Sequence, residues 1–365
     1  MKDSVLLPRG LMNQRGSIII FVALGLIMLL GFAALAFDIG HITVTKNELQ
    51  NISDGASLAA TRQLGAIYET MSYEDQQNYV ADPAPLIAVA KDVGLKNQAG
   101  KMNITINDAD VIIGTWDPNR TPPFEATLSQ PDAVRVIARR SGASAEGPIT
   151  NIFARILGRN TTNVETDATA ALTPQSTAGP GGLPVPLGIS KYWFENQQAT
   201  NFCNQPIRFY PTNDPTSCAG WHVYNRYNNA PDSRLRDTIS DLEDGTYQNP
   251  ETIAGQTQFE FTNGTMSTQT FAAMKSLFEA NLDTDLNGDG TNDAWTATVP
   301  VYNLDDCGSM AGAQLIVGFA TIVMTGVQDS PVHQIDGYVI CENVEPGRGG
   351  GGEYGTRGSI PGLVE

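Results

Sequence analysis

The chain has few basic residues, few histidines and no cysteine pair at metal-binding spacing. Its 365 residues hold 22 Lys and Arg against 39 Asp and Glu, a net charge of −17, with three histidines. Because no basic stripe exists to neutralise phosphates, nucleic-acid binding is excluded. The H-E-x-x-H, G-x-S-x-G and P-loop patterns are all missing. The sequence therefore predicts a protein that is not an enzyme.

The four cysteines, Cys203, Cys218, Cys307 and Cys341, all lie in the second half of the chain. None stands in a C-x-x-C pair, which argues against a zinc site or a thioredoxin-like site. Four cysteines allow three pairings. We favour Cys203–Cys218, which closes a short loop, together with Cys307–Cys341, in an oxidising compartment. Buried free thiols are the alternative.

Residues 18–37 form an uninterrupted run of twenty uncharged, mostly apolar residues. At about 1.5 Å per residue a helix of this length spans a bilayer core of about 30 Å. Three bases precede the run, whereas the twenty residues after it hold one base and three acids. The positive-inside rule then places the N-terminus in the cytoplasm and the rest of the chain outside it. Two hypotheses of N-terminal cleavage stay open: a signal peptide cut near Ala34-Leu35-Ala36, and a prepilin leader ending at Gly16.

The pattern beyond the membrane run predicts that the helix continues to residue 66. Apolar and small residues recur in steps of three and four, as in a coiled-coil seam, and small residues stand four apart at two places. The residues expected to pack against another helix are Ala36, Asp38, Gly40, Leu49, Ile52, Ala56, Ala59 and Ala60. Asp38 would lie at the outer interface, where it is a hypothetical partner for a base on a neighbouring subunit. The alternative, equally supported, is that the stripe packs on the chain's own domain.

The remaining sequence divides by composition and periodicity. A cytoplasmic leader (1–17) and the transmembrane and stalk helix (18–66) precede a small α+β domain (67–173). In that domain the pattern predicts strands over 103–106, 111–116, 133–139 and 164–172 and a short helix over 149–157. A Pro/Gly-rich linker (174–184), an exported β-rich domain (185–345) and a flexible Gly-rich tail (346–365) follow. The predicted fold class is therefore α+β: a long N-terminal transmembrane helix continuing as a stalk, a small α+β domain and a β-rich C-terminal domain.

One acidic loop has the pattern of a calcium site. From Asp285 the sequence reads D-x-N-x-D-G-x-x-D, which matches the first nine positions of an EF-hand-type loop. Thr296 occupies the twelfth position, where such loops carry a bidentate acid, and Asp283 is the candidate replacement. The expected Ca²⁺ ligands are Asp283, Asp285, Asn287, Asp289, Thr291 and Asp293. An ordinary Asp/Asn/Gly turn without an ion is the alternative.

The N-terminal region resembles a known family. The resemblance rests on Arg15-Gly16-Ser17, Gly31-Phe32-Ala33-Ala34-Leu35-Ala36, Asp38-Ile39-Gly40, Glu48-Leu49-Gln50-Asn51 and Asp54-Gly55-Ala56-Ser57-Leu58-Ala59-Ala60. These segments are similar to those of TadE/TadG-like proteins of the tight-adherence (Flp) pilus assembly system, well over residues 14–66 and more loosely to about 175. The D-x-S-x-S metal motif that some TadG proteins carry in an added domain is missing here.

The resemblance implies a single-pass protein of the bacterial inner membrane whose C-terminal domains are periplasmic or on the cell surface. Its partners would be other Tad or pilin-like subunits, inner-membrane assembly proteins and membrane lipid, engaged by lateral packing of helices. The competing hypothesis is a surface adhesin or ligand-binding module whose C-terminal domain is stabilised by Ca²⁺.

Overall fold

A single helix carries the chain from its apolar end into its first folded domain. The computed structural model describes residues 15–197, 202–209, 218–262, 266–307 and 312–365, with side chains along the first helix from residue 19. Most of the predicted leader therefore lies outside the described residues. Helix α1 runs over Arg15–Tyr68, a length of about 80 Å. Its first part, from Ile19, is exposed and apolar enough to cross a membrane, so the predicted continuous helix is confirmed.

The other helices are short. They are α2 Tyr73–Gln77, α3 Pro83–Lys96, α4 Lys191–Gln197, α5 Asp232–Glu243 and α6 Thr268–Ala280, with 3₁₀ turns at Asp108–Asp110 and Ala154–Leu157. The strands of the first half are β1 Gln98–Ala99, β2 Met102–Asn103, β3 Val111–Trp116, β4 Phe124–Ala126, β5 Ala133–Arg140, β6 Ile149–Thr150, β7 Thr161–Thr162, β8 Val164–Ala171 and β9 Thr177–Ala178. Those of the second half are β10 Leu187–Ser190, β11 Pro206–Arg208, β12 Ala219–His222, β13 Thr252–Ile253, β14 Gln258–Thr262, β15 Trp295–Tyr302, β16 Gly312–Gln328, β17 Gln334–Ile340, β18 Asn343–Arg348, β19 Thr356–Ile360 and β20 Gly362–Leu363.

The first domain packs the second half of α1, together with α3, on a five-stranded antiparallel sheet. The strand order is β20-β8-β5-β3-β4. Leu49, Ile52, Ala56 and Ala60 are buried in one core with Val134 and other sheet residues. Small residues on α1 bring the helix close enough for side chains to bond the sheet: the Thr61 hydroxyl donates to the Ala170 carbonyl at 3.2 Å.

The second domain is built on a seven-stranded mixed sheet in the order β11-β17-β16-β14-β12-β10-β15. The long strand β16 pairs with β14 through its first residues and with β15 along its middle. Because β15 also pairs with β10, strands β10, β12, β14, β15 and β16 close into a ring. Helix α6 packs on β16 and α5 packs on α6. The predicted fold class, α+β with a β-rich C-terminal part, is confirmed.

The Gly-rich C-terminal segment, expected to be a flexible tail, is ordered and returns to the first domain. Strand β18 pairs in parallel with β19, and β20 adds to the edge of the five-stranded sheet at β8. Glycines allow this return because the backbone comes too close for side chains. A Cβ on Gly351 would stand 2.0 Å from the Gln175 carbonyl oxygen, and one on Gly349 would stand 2.2 Å from Thr173 Oγ1. The same glycines that suggested flexibility permit tight packing.

Short elements differ from the prediction where backbone geometry overrides periodicity. The segment 149–157, expected as one short helix, divides into β6 and the 3₁₀ turn Ala154–Leu157. Gly158, with φ of 85°, ends that turn in the left-handed conformation that glycine adopts readily. The predicted strand over 103–106 is reduced to Met102–Asn103.

All four cysteines form disulfides, but the favoured pairing is wrong. The bonds are Cys203–Cys341 and Cys218–Cys307. Strands β11 and β17 are antiparallel with Pro206 opposite Tyr338, and three more residues in the same register place Cys203 opposite Cys341. Sequence proximity favoured a local loop, whereas the sheet register brings distant cysteines together.

The second disulfide forms beside the end of β10. The Ser190 N–H donates to the Cys218 carbonyl at 2.8 Å. The Ser190 hydroxyl donates to the carbonyls of Leu304 at 3.0 Å and Asp306 at 3.1 Å, directly before Cys307. One serine thus holds both cysteine segments in place.

Because β19 packs on α1, we expect alanine substitutions at two glycines of that helix to change the thermal stability in opposite directions. A Cβ on Gly65 would stand 2.1 Å from the Ser359 carbonyl oxygen, whereas one on Gly55 would meet only Val93 Cγ1 at 3.6 Å. We expect Gly65→Ala to lower the thermal unfolding midpoint, because overpacking costs about 1–3 kcal/mol. Gly55→Ala is the matched control and should raise the midpoint, since alanine gains up to about 1 kcal/mol in a helix. Calorimetry on the detergent-solubilised full chain measures both; a Gly65→Ala variant as stable as the wild type would contradict this packing.

Candidate functional site

The membrane part of α1 is joined to the first domain by the carboxylate of Asp38. This side chain is 4% exposed and lies directly after the apolar run. Its Oδ1 accepts the N–H of Ile152 at 3.0 Å, and its Oδ2 accepts the N–H groups of Phe153 at 2.9 Å and Ala154 at 2.6 Å. Three amides of a distant loop therefore converge on one acid of the helix.

These three amides need an acceptor because they open the 3₁₀ turn Ala154–Leu157. The first N–H groups of any helical turn have no partner within the turn. Short turns are usually capped by a neighbouring side chain in the sequence, but Phe153, the residue at the cap position, supplies no such bond. Asp38, which lies more than one hundred positions earlier in the sequence, accepts these amides instead. Its negative charge also faces the positive end of the turn dipole.

Ring packing supports the same junction. The side chains of Phe37 and Phe153 meet edge to face with ring centroids 5.8 Å apart. The sequence singled out Asp38 but gave no indication of Ile152, Phe153 or Ala154, because backbone amides leave no trace in residue identity. The hypothesis that Asp38 pairs with a base on another subunit stays a hypothesis; within this chain its partners are amides.

Apart from Asp38, the seven other residues expected to pack against another helix separate into two groups. Leu49, Ile52, Ala56 and Ala60 are buried in the core of the chain's own first domain, and Ala59 is half-buried beside them. For this part of α1, the structure shows the packing on the chain's own domain that the sequence left open as an alternative.

Ala36 and Gly40 lie on the opposite side of the helix. Both are exposed, and a Cβ on Gly40 would meet nothing within 4 Å. At about 100° per residue, the midpoint of this pair lies about 180° from Asp38 around the helix axis. The small-residue face thus points away from the folded domain and is open to a second helix.

A cavity of about 610 Å³ lies where the C-terminal segment meets the first domain. Arg357 of β19 forms an ion pair with Asp132 at 3.2 Å and another with Glu342. The guanidinium also donates to the Leu172 carbonyl at 2.8 Å. These bonds join the returning C-terminal segment to the sheet, and the sequence did not single out any of the four residues.

The predicted calcium ligands lie on one exposed loop whose base is closed by a bridge between Thr284 and Ala294. The Asp285 carboxylate accepts the N–H groups of Gly288 at 2.8 Å and Gly290 at 2.7 Å. Gly290 has φ of 88°, which permits the sharp turn that such loops need. These amide bonds hold the pKa of Asp285 below its usual range.

The other loop oxygens also bond within the loop. Asn287 Oδ1 accepts the Asp289 N–H and Asp289 Oδ1 accepts the Thr291 N–H, each at 2.9 Å. Asp293 accepts the Leu286 N–H at 2.9 Å. Asp283 accepts the Thr296 N–H at 2.8 Å, and burial raises its pKa.

Carboxylate and amide oxygens on one tight loop are the donor type that Ca²⁺ takes. Among the residues that the structure describes, however, no three His, Cys, Asp or Glu side chains come together in a metal-holding group. The loop therefore has the donor chemistry for calcium, while its side chains are engaged with loop amides.

Two family models match the chain, and their ranges overlap on the second half of α1. The model described as Flp pilus-assembly TadE/G-like matches residues 16–63, and the one described as Tad-like Flp pilus-assembly matches residues 56–170. No curated protein and no solved structure matched the chain. The matched residues include the membrane helix, the Asp38 junction and the five-stranded sheet up to β8. Over residues 16–170, the chain is similar to the TadE/G-like and Tad-like families of Flp pilus-assembly proteins.

Proposed function

We propose that the protein is a membrane-anchored, pilin-like structural or assembly component of a Flp (Tad) pilus or a related secretion apparatus, and that it acts by helix–helix packing. The family match supports a role in pilus assembly. The observation that carries the packing role is the exposed Ala36–Gly40 face on the side of α1 away from the folded domain. The mechanism needs no bond-making chemistry.

The proposed location is the bacterial inner membrane, crossed once, with the N-terminus in the cytoplasm. The excess of bases before the apolar run and of acids after it supports this direction. The two disulfides support an oxidising compartment for the domains beyond the helix. Those domains would lie in the periplasm or at the cell surface.

The proposed partners are other Tad or pilin-like subunits and inner-membrane assembly proteins. In lipid, helices gain little from apolar burial, so association depends on close contact at small residues. Ala36 and Gly40 form such a contact surface at the membrane boundary, one helical turn apart. The rigid continuation of α1 into the domain core would transmit the position of a partner helix directly to the folded domain.

Bulky residues on this face should block assembly. We expect the double variant Ala36→Leu/Gly40→Leu to reduce surface pili to a small fraction of the wild-type amount while the protein stays in the membrane fraction. Ala23→Leu is the matched control, because Ala23 is also exposed within the membrane run but lies about 120° from the midpoint of the Ala36–Gly40 face. Sheared-filament blots and membrane blots measure the two quantities. Normal piliation in the double variant would refute helix packing through this face.

A second candidate function is a surface adhesin or ligand-binding module whose C-terminal domain is stabilised by Ca²⁺. The observation that favours it is that the domain from β10 to β17 lies outside both family matches, which end at residue 170. A domain added to an assembly protein is a natural place for a separate binding function. The acidic loop at 283–293 is exposed on this domain.

Calcium binding by the loop predicts heat in a calorimetric titration of the full chain. We expect millimolar Ca²⁺, the affinity range of extracellular calcium modules, to bind and to raise the unfolding midpoint. Asp285→Asn/Asp289→Asn should lose both effects. Asp244→Asn, which removes an exposed carboxylate outside the loop, should keep them. Wild-type protein without binding heat or thermal stabilisation would remove calcium from the proposal.

The two candidate functions separate when the second domain is removed. Replacing residues 185–342 by a flexible linker keeps β18, β19 and β20, which belong to the first domain's packing, and removes every cysteine. Loss of pili with normal membrane levels of the shortened protein supports the structural role. Normal pili that no longer attach to a surface support the adhesin.

A further inference from the structure

The loop between β6 and β7 presents large apolar side chains to its surroundings. Ile156 is 81% exposed and Leu157 is 73% exposed, and Ile152 and Phe153 are exposed beside them. Four neighbouring apolar side chains form a contiguous patch, and exposed patches of this kind mark sites of interaction. The chain's own domain does not cover it.

This patch lies against the membrane part of α1. Phe153, Ile156 and Leu157 line an apolar groove of about 430 Å³ whose other wall includes Met28 and Leu35. At about 1.5 Å per residue, Leu35 and Met28 lie about 5 and 15 Å from Asp38 along the helix axis, toward the bilayer centre. The tip of the loop therefore reaches back past Asp38 to the depth of the hydrocarbon run.

Several backbone amides of the loop have hydrogen-bond acceptors within the chain, which an apolar environment requires. A segment can enter the bilayer only if its amide and carbonyl groups have partners. Asp38 accepts the N–H groups of Ile152, Phe153 and Ala154. The N–H groups of Ile156, Gly158 and Arg159 donate to carbonyls within the turn at 3.0 to 3.1 Å. Six N–H groups of the loop thus already have acceptors within the chain.

Two cations stand beside the apolar side chains: Arg155 lies between Phe153 and Ile156, and Arg159 lies two residues after Leu157. Arg155 and Arg159 are both exposed, and neither forms an ion pair within the described part of the chain. Arginine side chains at a membrane boundary extend their charged ends toward lipid phosphates while their stems stay in apolar surroundings. Apolar residues at hydrocarbon depth with arginines beside them match the chemistry of a phospholipid leaflet.

We propose that residues 152–157 form a second membrane contact, inserted beside α1 into the leaflet that faces the folded domains, with Arg155 and Arg159 at the lipid phosphates. The occupant of the groove is lipid, because the patch is continuous with the apolar surface of the spanning helix. The proposal requires that α1 crosses a bilayer but does not depend on pilus assembly. It places the first domain directly on the membrane surface at a set tilt.

Spin labels on the full chain test this contact. The native cysteines are all in disulfides, so an introduced cysteine is labelled selectively. Ile156→Cys and Leu157→Cys, made separately, report on the loop, and either one suffices if the other fails to fold. Leu30→Cys reports on insertion of α1. Val80→Cys is the control, an exposed apolar site near the far end of α1. Each protein is placed, one copy per nanodisc, in phosphatidylethanolamine and phosphatidylglycerol.

We expect labels at Ile156 and Leu157 to collide more with oxygen than with a water-soluble nickel chelate, as at Leu30, and the ratio to be reversed at Val80. Loop labels that behave like Val80 while Leu30 stays in hydrocarbon would overturn the proposal and leave the anchor intact. Loop labels shielded from both reagents in native membranes, but open to water in single-copy nanodiscs, would also overturn it, since a partner protein would then fill the groove.

Discussion

The three amide bonds to Asp38 are the interaction on which the arrangement of anchor and domain depends. A carboxylate directly after a membrane run needs either water or strong hydrogen-bond donors, because an unpaired charge near hydrocarbon is costly. The N–H groups of Ile152, Phe153 and Ala154 supply those donors. The same bonds satisfy amides that the 3₁₀ turn leaves open. The Asp38 carboxylate and the open amides of the turn therefore satisfy each other at the membrane boundary. Their bonds also hold a distant loop against the helix.

Helix α1 has two different surroundings along its length, lipid for its first part and the protein core for its second, and its residues differ accordingly. Up to Phe37 its large apolar side chains are exposed, as a lipid-facing helix requires. Beyond Asp38 one side carries buried Leu, Ile and Ala that form the core of the first domain. Gly65 lets the returning C-terminal segment touch the helix backbone. The C-terminal segment is thus packed on the same helix that carries the membrane run, so a displacement of the helix would disturb the packing of the first domain.

Local pattern predicted much of this fold. Twenty uncharged residues without a proline predicted the anchor, and the local residue pattern predicted β3, β5 and β8, because such elements are determined by the sequence of a few neighbouring residues. The disulfide pairing was missed because Cys203 and Cys341 meet only through a sheet register between strands far apart in sequence. The ordered C-terminal segment was missed because glycine permits close packing as readily as flexibility.

The sequence likewise predicted only part of the candidate site. Asp38, Ala36 and Gly40 could be singled out, since charge and small size at a membrane boundary are visible in the sequence. The partners of Asp38 could not, because they are backbone groups whose position follows from the whole domain. Leu49 and Ile52 fitted either an external helix or the chain's own sheet, and only tertiary structure distinguishes these two uses of one stripe.

Residue-resolved hydrogen exchange on the membrane-embedded protein tests the Asp38 junction most directly. We expect slow exchange for the amides of Ile152, Phe153 and Ala154, and fast exchange for all three in Asp38→Ala. The amide of Asn151 is the internal reference: it donates to the Asn160 carbonyl at 3.0 Å and should stay slow in both proteins. Fast exchange of the three amides in the wild type, or slow exchange that persists in Asp38→Ala, would show that Asp38 does not hold this loop.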